Sequence, residues 1–126
     1  MVFLSCNTEV KRTETRFLTE IIPNDIPIEF KQDLIPDNKI IHKGTFNPDL
    51  TAYYYTISDK KFENFQVFKI EKDKGVWSEP ERAFFDSKYD EHGMSFSPDG
   101  NTIYFSATRP VNKEGVVQTW HIWKSD

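Results

Sequence analysis

The chain repeats itself at about fifty residues, and a period of that size confines it to architectures in which one supersecondary unit stacks on the next. His42-Lys43-Gly44-Thr45-Phe46-Asn47-Pro48-Asp49 aligns with His92-Gly93-Met94-Ser95-Phe96-Ser97-Pro98-Asp99 at an offset of 50, sharing His, Phe, Pro and Asp. The offset holds through 51–56 (TAYYYT) against 101–106 (NTIYFS). It becomes 55 where Gln66-Val67-Phe68-Lys69 meets His121-Ile122-Trp123-Lys124. Each copy reads as strand, Pro-Asp turn, strand, polar loop, strand. In Ser97-Pro98-Asp99-Gly100 the proline presets φ, the aspartate bonds its own backbone, and the glycine accepts the positive φ that closes the turn. The first copy has Leu50 in place of Gly100, which predicts a rearranged or mildly strained turn.

Tyr53-Tyr54-Tyr55 and Ile103-Tyr104-Phe105 are continuous apolar triplets of strand-forming residues, a pattern expected of strands covered on both faces. After the third strand, 67–71, the turn-rich Lys72-Asp73-Lys74-Gly75 leads into Val76-Trp77-Ser78-Glu79-Pro80 as a fourth, outer strand. Pro80 sits where a missing N–H costs least, on a sheet edge. The expected fold class is therefore all-β, built of antiparallel four-stranded units.

Ser97-Pro98-Asp99-Gly100-Asn101-Thr102-Ile103-Tyr104-Phe105-Ser106, followed by Arg109-Pro110 and His121-Ile122-Trp123, resembles the WD40-like (TolB-type) β-propeller repeat. His121 stands where that repeat usually has Asp. Gly75-Val76-Trp77-Ser78-Glu79-Pro80 resembles the spacer between blades in exported bacterial members, often lipoproteins. The resemblance covers about residues 28–126. It implies about two propeller blades, 41–84 and 92–126, the second lacking its outer strand. It also implies a platform that binds protein, peptide or glycan partners through loops at either end.

A propeller takes roughly 4 to 8 blades, so 126 residues do not close a ring. Three readings follow: truncation from a longer propeller, which is preferred; self-association through the open blade edge; or patching of that edge by 26–34 (IPIEFKQDL). Residues 1–20 form the other expected division. Met1-Val2-Phe3-Leu4-Ser5-Cys6-Asn7 resembles the end of a bacterial lipoprotein signal, which makes Cys6 a candidate lipidation site and membrane anchor, with a solvated tether after it. On that reading the protein is exported, to the periplasm or as a membrane-anchored lipoprotein. With Met1 as the true start and no leader it is cytoplasmic.

A net charge of -4 and the absence of a basic run argue against a nucleic-acid partner. A single cysteine excludes an internal disulfide. His42 and His92 fall at equivalent repeat positions, so repetition explains them, and no two histidines have the spacing of a zinc helix. There is no G-x-S-x-G elbow and no G-x-G-x-x-G loop, so no catalytic residue, cofactor or metal ligand is assigned. Asp90 and Glu91, adjacent and so pointing to opposite sides of a strand, do not suit glycoside hydrolysis. Trp77, Trp120 and Trp123 are expected in the core. Arg109, Asn112 and Lys113, in a polar segment between two strands, are the candidate partner-binding loop. The expected function is a non-catalytic binding module for a protein or polysaccharide. The alternative is the propeller portion of a hydrolase, such as a prolyl-oligopeptidase-like peptidase, whose catalytic domain lies outside this chain.

Overall fold

The computed structural model describes residues 24–27, 34–83, 88–111 and 119–126. The chain divides into two units, Met1–Lys31 and Gln32–Asp126. In the first, the described residues are 24–27, where Asn24 Oδ1 accepts the Ile26 backbone N–H at 2.8 Å. Two antiparallel sheets make up the second. Sheet 1 holds β1 (Lys39–Phe46), β2 (Ala52–Asp59), β3 (Gln66–Asp73), β4 (Val76–Trp77) and β5 (Glu81–Arg82); sheet 2 holds β6 (Glu91–Phe96), β7 (Ile103–Ala107) and β8 (His121–Ser125).

Both sheets are meanders, β1-β2-β3 and β6-β7-β8, and they pair in matching register. Phe46 stands opposite Tyr53 as Phe96 stands opposite Ile103, and Tyr55 opposite Phe68 as Phe105 opposite Trp123. Each first strand carries a bulge, between Ile41 and Gly44 in β1 and between His92 and Ser95 in β6. Beyond β3 the outer strand of sheet 1 comes in two pieces, β4 against Lys72–Asp73 and β5 against Phe68–Lys69. The break falls at 78–80, where Pro80 has no N–H to offer a ladder. On either side of it the Ser78 N–H reaches Glu71 O and the Ala83 N–H reaches Val67 O.

The two Pro-Asp turns close in the same way. Asn47 N–H bonds Ala52 O and Leu50 N–H bonds Asn47 O; Ser97 N–H bonds Thr102 O and Gly100 N–H bonds Ser97 O. Asn47 Oδ1 accepts from Ala52 N–H, and Ser97 Oγ accepts from Thr102 N–H. Asn therefore stands in for Ser with one side-chain oxygen doing the same job. Leu50 takes φ 60° where Gly100 takes φ 75°, so the first turn keeps its shape and the leucine accepts the left-handed backbone that glycine adopts without cost.

The sheets pack unlike face to unlike face. Ala52, Tyr54 and Val67 of sheet 1, with Ala83 beside them, meet Met94, Ile103, Phe105 and Ala107 of sheet 2, with Phe96 and Trp123 at the margin. The opposite face of sheet 1 carries an aromatic row, Phe46 on Tyr53 at 4.7 Å, Tyr53 on Tyr55 at 5.9 Å and Tyr55 on Phe68 at 6.0 Å between ring centroids. A methyl group at Gly44 would fall 1.9 Å from Tyr53 Oη, so this glycine is the space the tyrosine fills. In sheet 2 the corresponding residues are Met94 and Ile103: a larger residue replaces the glycine as a smaller one replaces the tyrosine, conserving volume as tight packing demands.

The expectation that both apolar triplets are covered on two sides holds for Tyr53-Tyr54-Tyr55 and fails for the second. Tyr104 is 43% exposed whereas Tyr54 is 8% exposed, and Ile122 is 80% exposed whereas Val67 is fully buried. These are equivalent positions in the two sheets. The difference is that sheet 2 covers this face in sheet 1, while no described residue covers it in sheet 2.

Candidate functional site

The antiparallel topology puts the Pro-Asp turns at one end of both sheets and the 60–65 loop, the end of β7 and the start of β8 at the other. A cluster of five rings forms at this second end. Asp59, the last residue of β2, organises the loop: its Oδ1 accepts the N–H groups of Lys61 and Glu63 at 3.0 and 2.9 Å, and its Oδ2 accepts Asn64 Nδ2 at 2.8 Å. These bonds, the Glu63 backbone first and the Asn64 side chain next, hold the Asp59 carboxyl below its ordinary pKa. The loop so fixed carries Phe62 at φ 61° with 62% of the residue exposed. A large apolar side chain held outward on a left-handed backbone is a strained arrangement of the kind that concentrates at ligand-contact sites.

Phe65 is stitched to the start of β6. Its N–H donates to Asp90 Oδ1 at 2.8 Å, and its carbonyl accepts the Glu91 N–H at 3.1 Å. Its ring is the centre of the cluster, 5.0 Å from His42, 5.5 Å from His92 and 5.7 Å from Trp120. His42 also meets Phe62 at 5.9 Å, and His92 meets Trp120 edge-on at 4.6 Å. The two β-bulges lie at or beside the histidines, where such features re-aim side chains. His42 Nε2 hydrogen-bonds Ser58 Oγ at 2.8 Å. Burial, aided by the positive potential of His42 and Lys43, holds His92 below the ordinary histidine value. A neutral imidazole presents one donor and one acceptor to a ligand beside the ring faces.

Behind the rings lies an ion pair. Glu91 is fully buried, and its Oε1 accepts Arg109 Nε at 2.8 Å together with a second, shorter bond from the guanidinium Nη2. The same guanidinium lies over the Phe105 ring, 5.3 Å from its centroid. Arg109, expected on an exposed loop, therefore turns inward and joins β6 to the end of β7; a solvent-facing guanidinium would leave the Glu91 carboxylate to be desolvated without it. Asn112 and Lys113 lie outside the described residues, as does Cys6. His121 opens β8 on the surface, apart from the other two histidines. Trp123 is half-buried at the core margin, and Trp77 is half-buried with its ring edge-on to Phe46 on the other face of sheet 1. Trp120 instead is 40% exposed in the ring cluster, correcting its assignment to the core.

The sequence marks His42 and His92 as equivalent but gives no sign that they share a ring neighbour. Phe62 and Phe65 passed as parts of a polar loop (DKKFENF). The available signal was two phenylalanines in a segment otherwise charged and turn-forming. Among the described residues no three His, Cys, Asp or Glu side chains group within reach of a metal ion. No protein-family model, curated protein or solved structure matches this chain.

Proposed function

We propose that this chain is a non-catalytic binding module, built of two propeller-type sheets, that engages a protein or polysaccharide partner through the five-ring surface around Phe65. The observation that carries the reading is the contiguity of those rings together with the exposure of Phe62 and Trp120. Contiguous exposed aromatics mark interaction sites, and aromatic residues dominate binding hot spots because they bring large rigid area at little entropic cost. The two imidazoles add directional hydrogen bonding, the combination of apolar walls and a few polar groups that ligand sites share.

The propeller reading of the fold is supported by the matching registers and by the packing of unlike faces. A face that packs on its own kind closes after two copies, whereas a face that packs on a different one leaves both kinds free for further sheets. Tyr104 and Ile122 are then the place where a third sheet would sit.

Trp120→Ser and Phe62→Asn test the binding surface, since Asn tolerates the left-handed backbone at position 62. Screened against soluble polysaccharides and extended peptides by affinity electrophoresis and calorimetry, the native chain is expected to select a ligand. Each variant should weaken that ligand at least about tenfold, as loss of a hot-spot ring does, with an unchanged thermal midpoint. Undiminished binding in both variants would remove the rings from the site.

A further inference from the structure

A second recognition site lies at the opposite end of the sheets, and it does not depend on the ring cluster. There the two Pro-Asp turns lie side by side, close enough that a methyl group on Gly100 would touch the Pro48 ring at 3.4 Å. Between them and the end of β8 opens a cleft of about 430 Å³, within the size range of small-ligand pockets. Tyr54 and Phe96, edge to face at 5.3 Å, contribute its aromatic wall, with Ile103 beside them. Its rim carries three carboxylates, Asp49, Asp99 and Asp126, and among the described residues no cationic side chain lines it.

The carboxylates are fixed in place by their own turns. Asp49 Oδ1 accepts from the Thr51 hydroxyl at 2.7 Å; Asp99 Oδ1 accepts from Ser97 Oγ at 2.6 Å and its Oδ2 from Asn101 Nδ2 at 3.1 Å; Asp126 Oδ1 accepts from Thr102 Oγ1 at 2.7 Å. Lys124 reaches Asp126 from outside the cleft at 3.7 Å, with both side chains largely solvent-exposed. A carboxylate offers about four acceptor positions, so each retains capacity after its local bonds. A negative rim over an aromatic wall is complementary to a cation with a flat, weakly hydrated face. The same chain shows the combination filled at its other end, where Arg109 lies between the Glu91 carboxylate and the Phe105 ring.

We propose that this cleft receives an arginine side chain of a polypeptide partner, its guanidinium stacked on the Tyr54–Phe96 wall and hydrogen-bonded to the rim aspartates. Arginine fits better than lysine because its planar fork pairs with carboxylates while its face lies on an aromatic ring. The occupant is thus a basic segment of a protein, and the contact weakens with salt because the rim is exposed.

The test is a titration of the whole, isotopically labelled chain with butylguanidinium, read from the backbone amides of Gly100, Asn101 and Ser125. Saturable shifts confined to these amides and their neighbours are expected, together with weaker binding of butylammonium and none of butanol. Asp99→Asn combined with Asp126→Asn keeps an acceptor oxygen for the Ser97 hydroxyl and Asn101 N–H bonds at Asp99 and for the Thr102 hydroxyl bond at Asp126, gives up the exposed Asn101 Nδ2 bond, and should lower the affinity about fivefold, in line with the loss of two exposed charge contacts. A preserved spectrum of the double variant shows that it folds. No localised shift up to about 50 mM probe, equal response to butanol, or an unchanged affinity in the double variant overturns the site; equal binding of butylammonium overturns its assignment to arginine.

Discussion

The ion pair between Glu91 and Arg109 is the place where one substitution should separate folding from surface chemistry most sharply. Arg109→Met keeps most of the aliphatic length of the side chain over Phe105 but removes the guanidinium that donates two hydrogen bonds to Glu91 Oε1. Glu91 is fully buried, and breaking a buried pair from one side costs about 3–5 kcal/mol because the remaining charge loses its counter-ion. A domain of this size has roughly 5–15 kcal/mol of stability, so the variant should be close to unfolding at ordinary temperature. Glu91→Leu is the milder single change, at about 1–2 kcal/mol, because Arg109 is partly exposed and its charge can turn to water.

The double variant should lie within about 1 kcal/mol of the native chain, since replacing both members of a buried pair by apolar side chains is often neutral or better. The coupling energy from the cycle is then at least about 3 kcal/mol, well above the few tenths expected of independent sites. Urea unfolding followed by tryptophan fluorescence measures all four corners. A loss below about 1 kcal/mol in Arg109→Met, or additive single changes, would show that Arg109 is a surface residue after all.

Two further outcomes follow from the geometry. Val67→Ala removes buried methyl groups at the sheet interface and should cost about 2 kcal/mol, whereas Ile122→Ala, at the equivalent but exposed position, should cost less than about 1 kcal/mol, mostly strand preference; equal costs by urea unfolding would mean that the sheet 2 face is covered. His92 is held below the ordinary value by burial and then by the His42 and Lys43 charges, so the unfolded chain binds more protons in the window below about 6.5. Stability is then highest above that pH and falls as the pH drops through the window toward the lower folded-state value; urea midpoints at pH 7 and 5.5 should show this slope, and an undiminished slope in His92→Gln would assign it elsewhere.

What the sequence disclosed was local chemistry. The turns were legible because Pro98, Asp99 and Gly100 each have a separate steric or hydrogen-bonding reason to be there, and the meander order followed from strand length and turn placement. Leu50 shows the reach of such reasoning: its chemistry announces strain, and the observed φ of 60° is that strain, because the hydrogen bonds of the turn over-determine the backbone. Burial was less legible. Tyr54 and Tyr104 have nearly the same neighbours in sequence, and only the presence of a second sheet over one of them separates their fates. The inward bond of Arg109 was hidden for the same reason: an arginine beside a proline after a strand reads as a loop residue, and nothing local reveals that a glutamate eighteen residues earlier is buried beside it. Nor does spacing show that Phe65, in a charged loop, bridges His42 and His92, because that contact depends on how one sheet lies on the other.

The asymmetry between the two sheets also bears on how the site and the fold are related. Sheet 1 has its outer strand and both faces covered at β2; in sheet 2, β8 is an edge among the described residues and the Tyr104–Ile122 side is open. The ring cluster lies across the junction of the two sheets, with His42, Phe62 and Phe65 from the first and His92 and Trp120 from the second. The Pro-Asp cleft at the other end likewise draws on both. Neither surface exists on a single sheet, so recognition at either end requires the stack, and the interface centred on Val67, Met94 and Phe105 is what sets the distance between the two halves of each site. A change that loosens this interface without unfolding the chain should therefore weaken both sites together, whereas a change in one end's own residues should leave the other end intact.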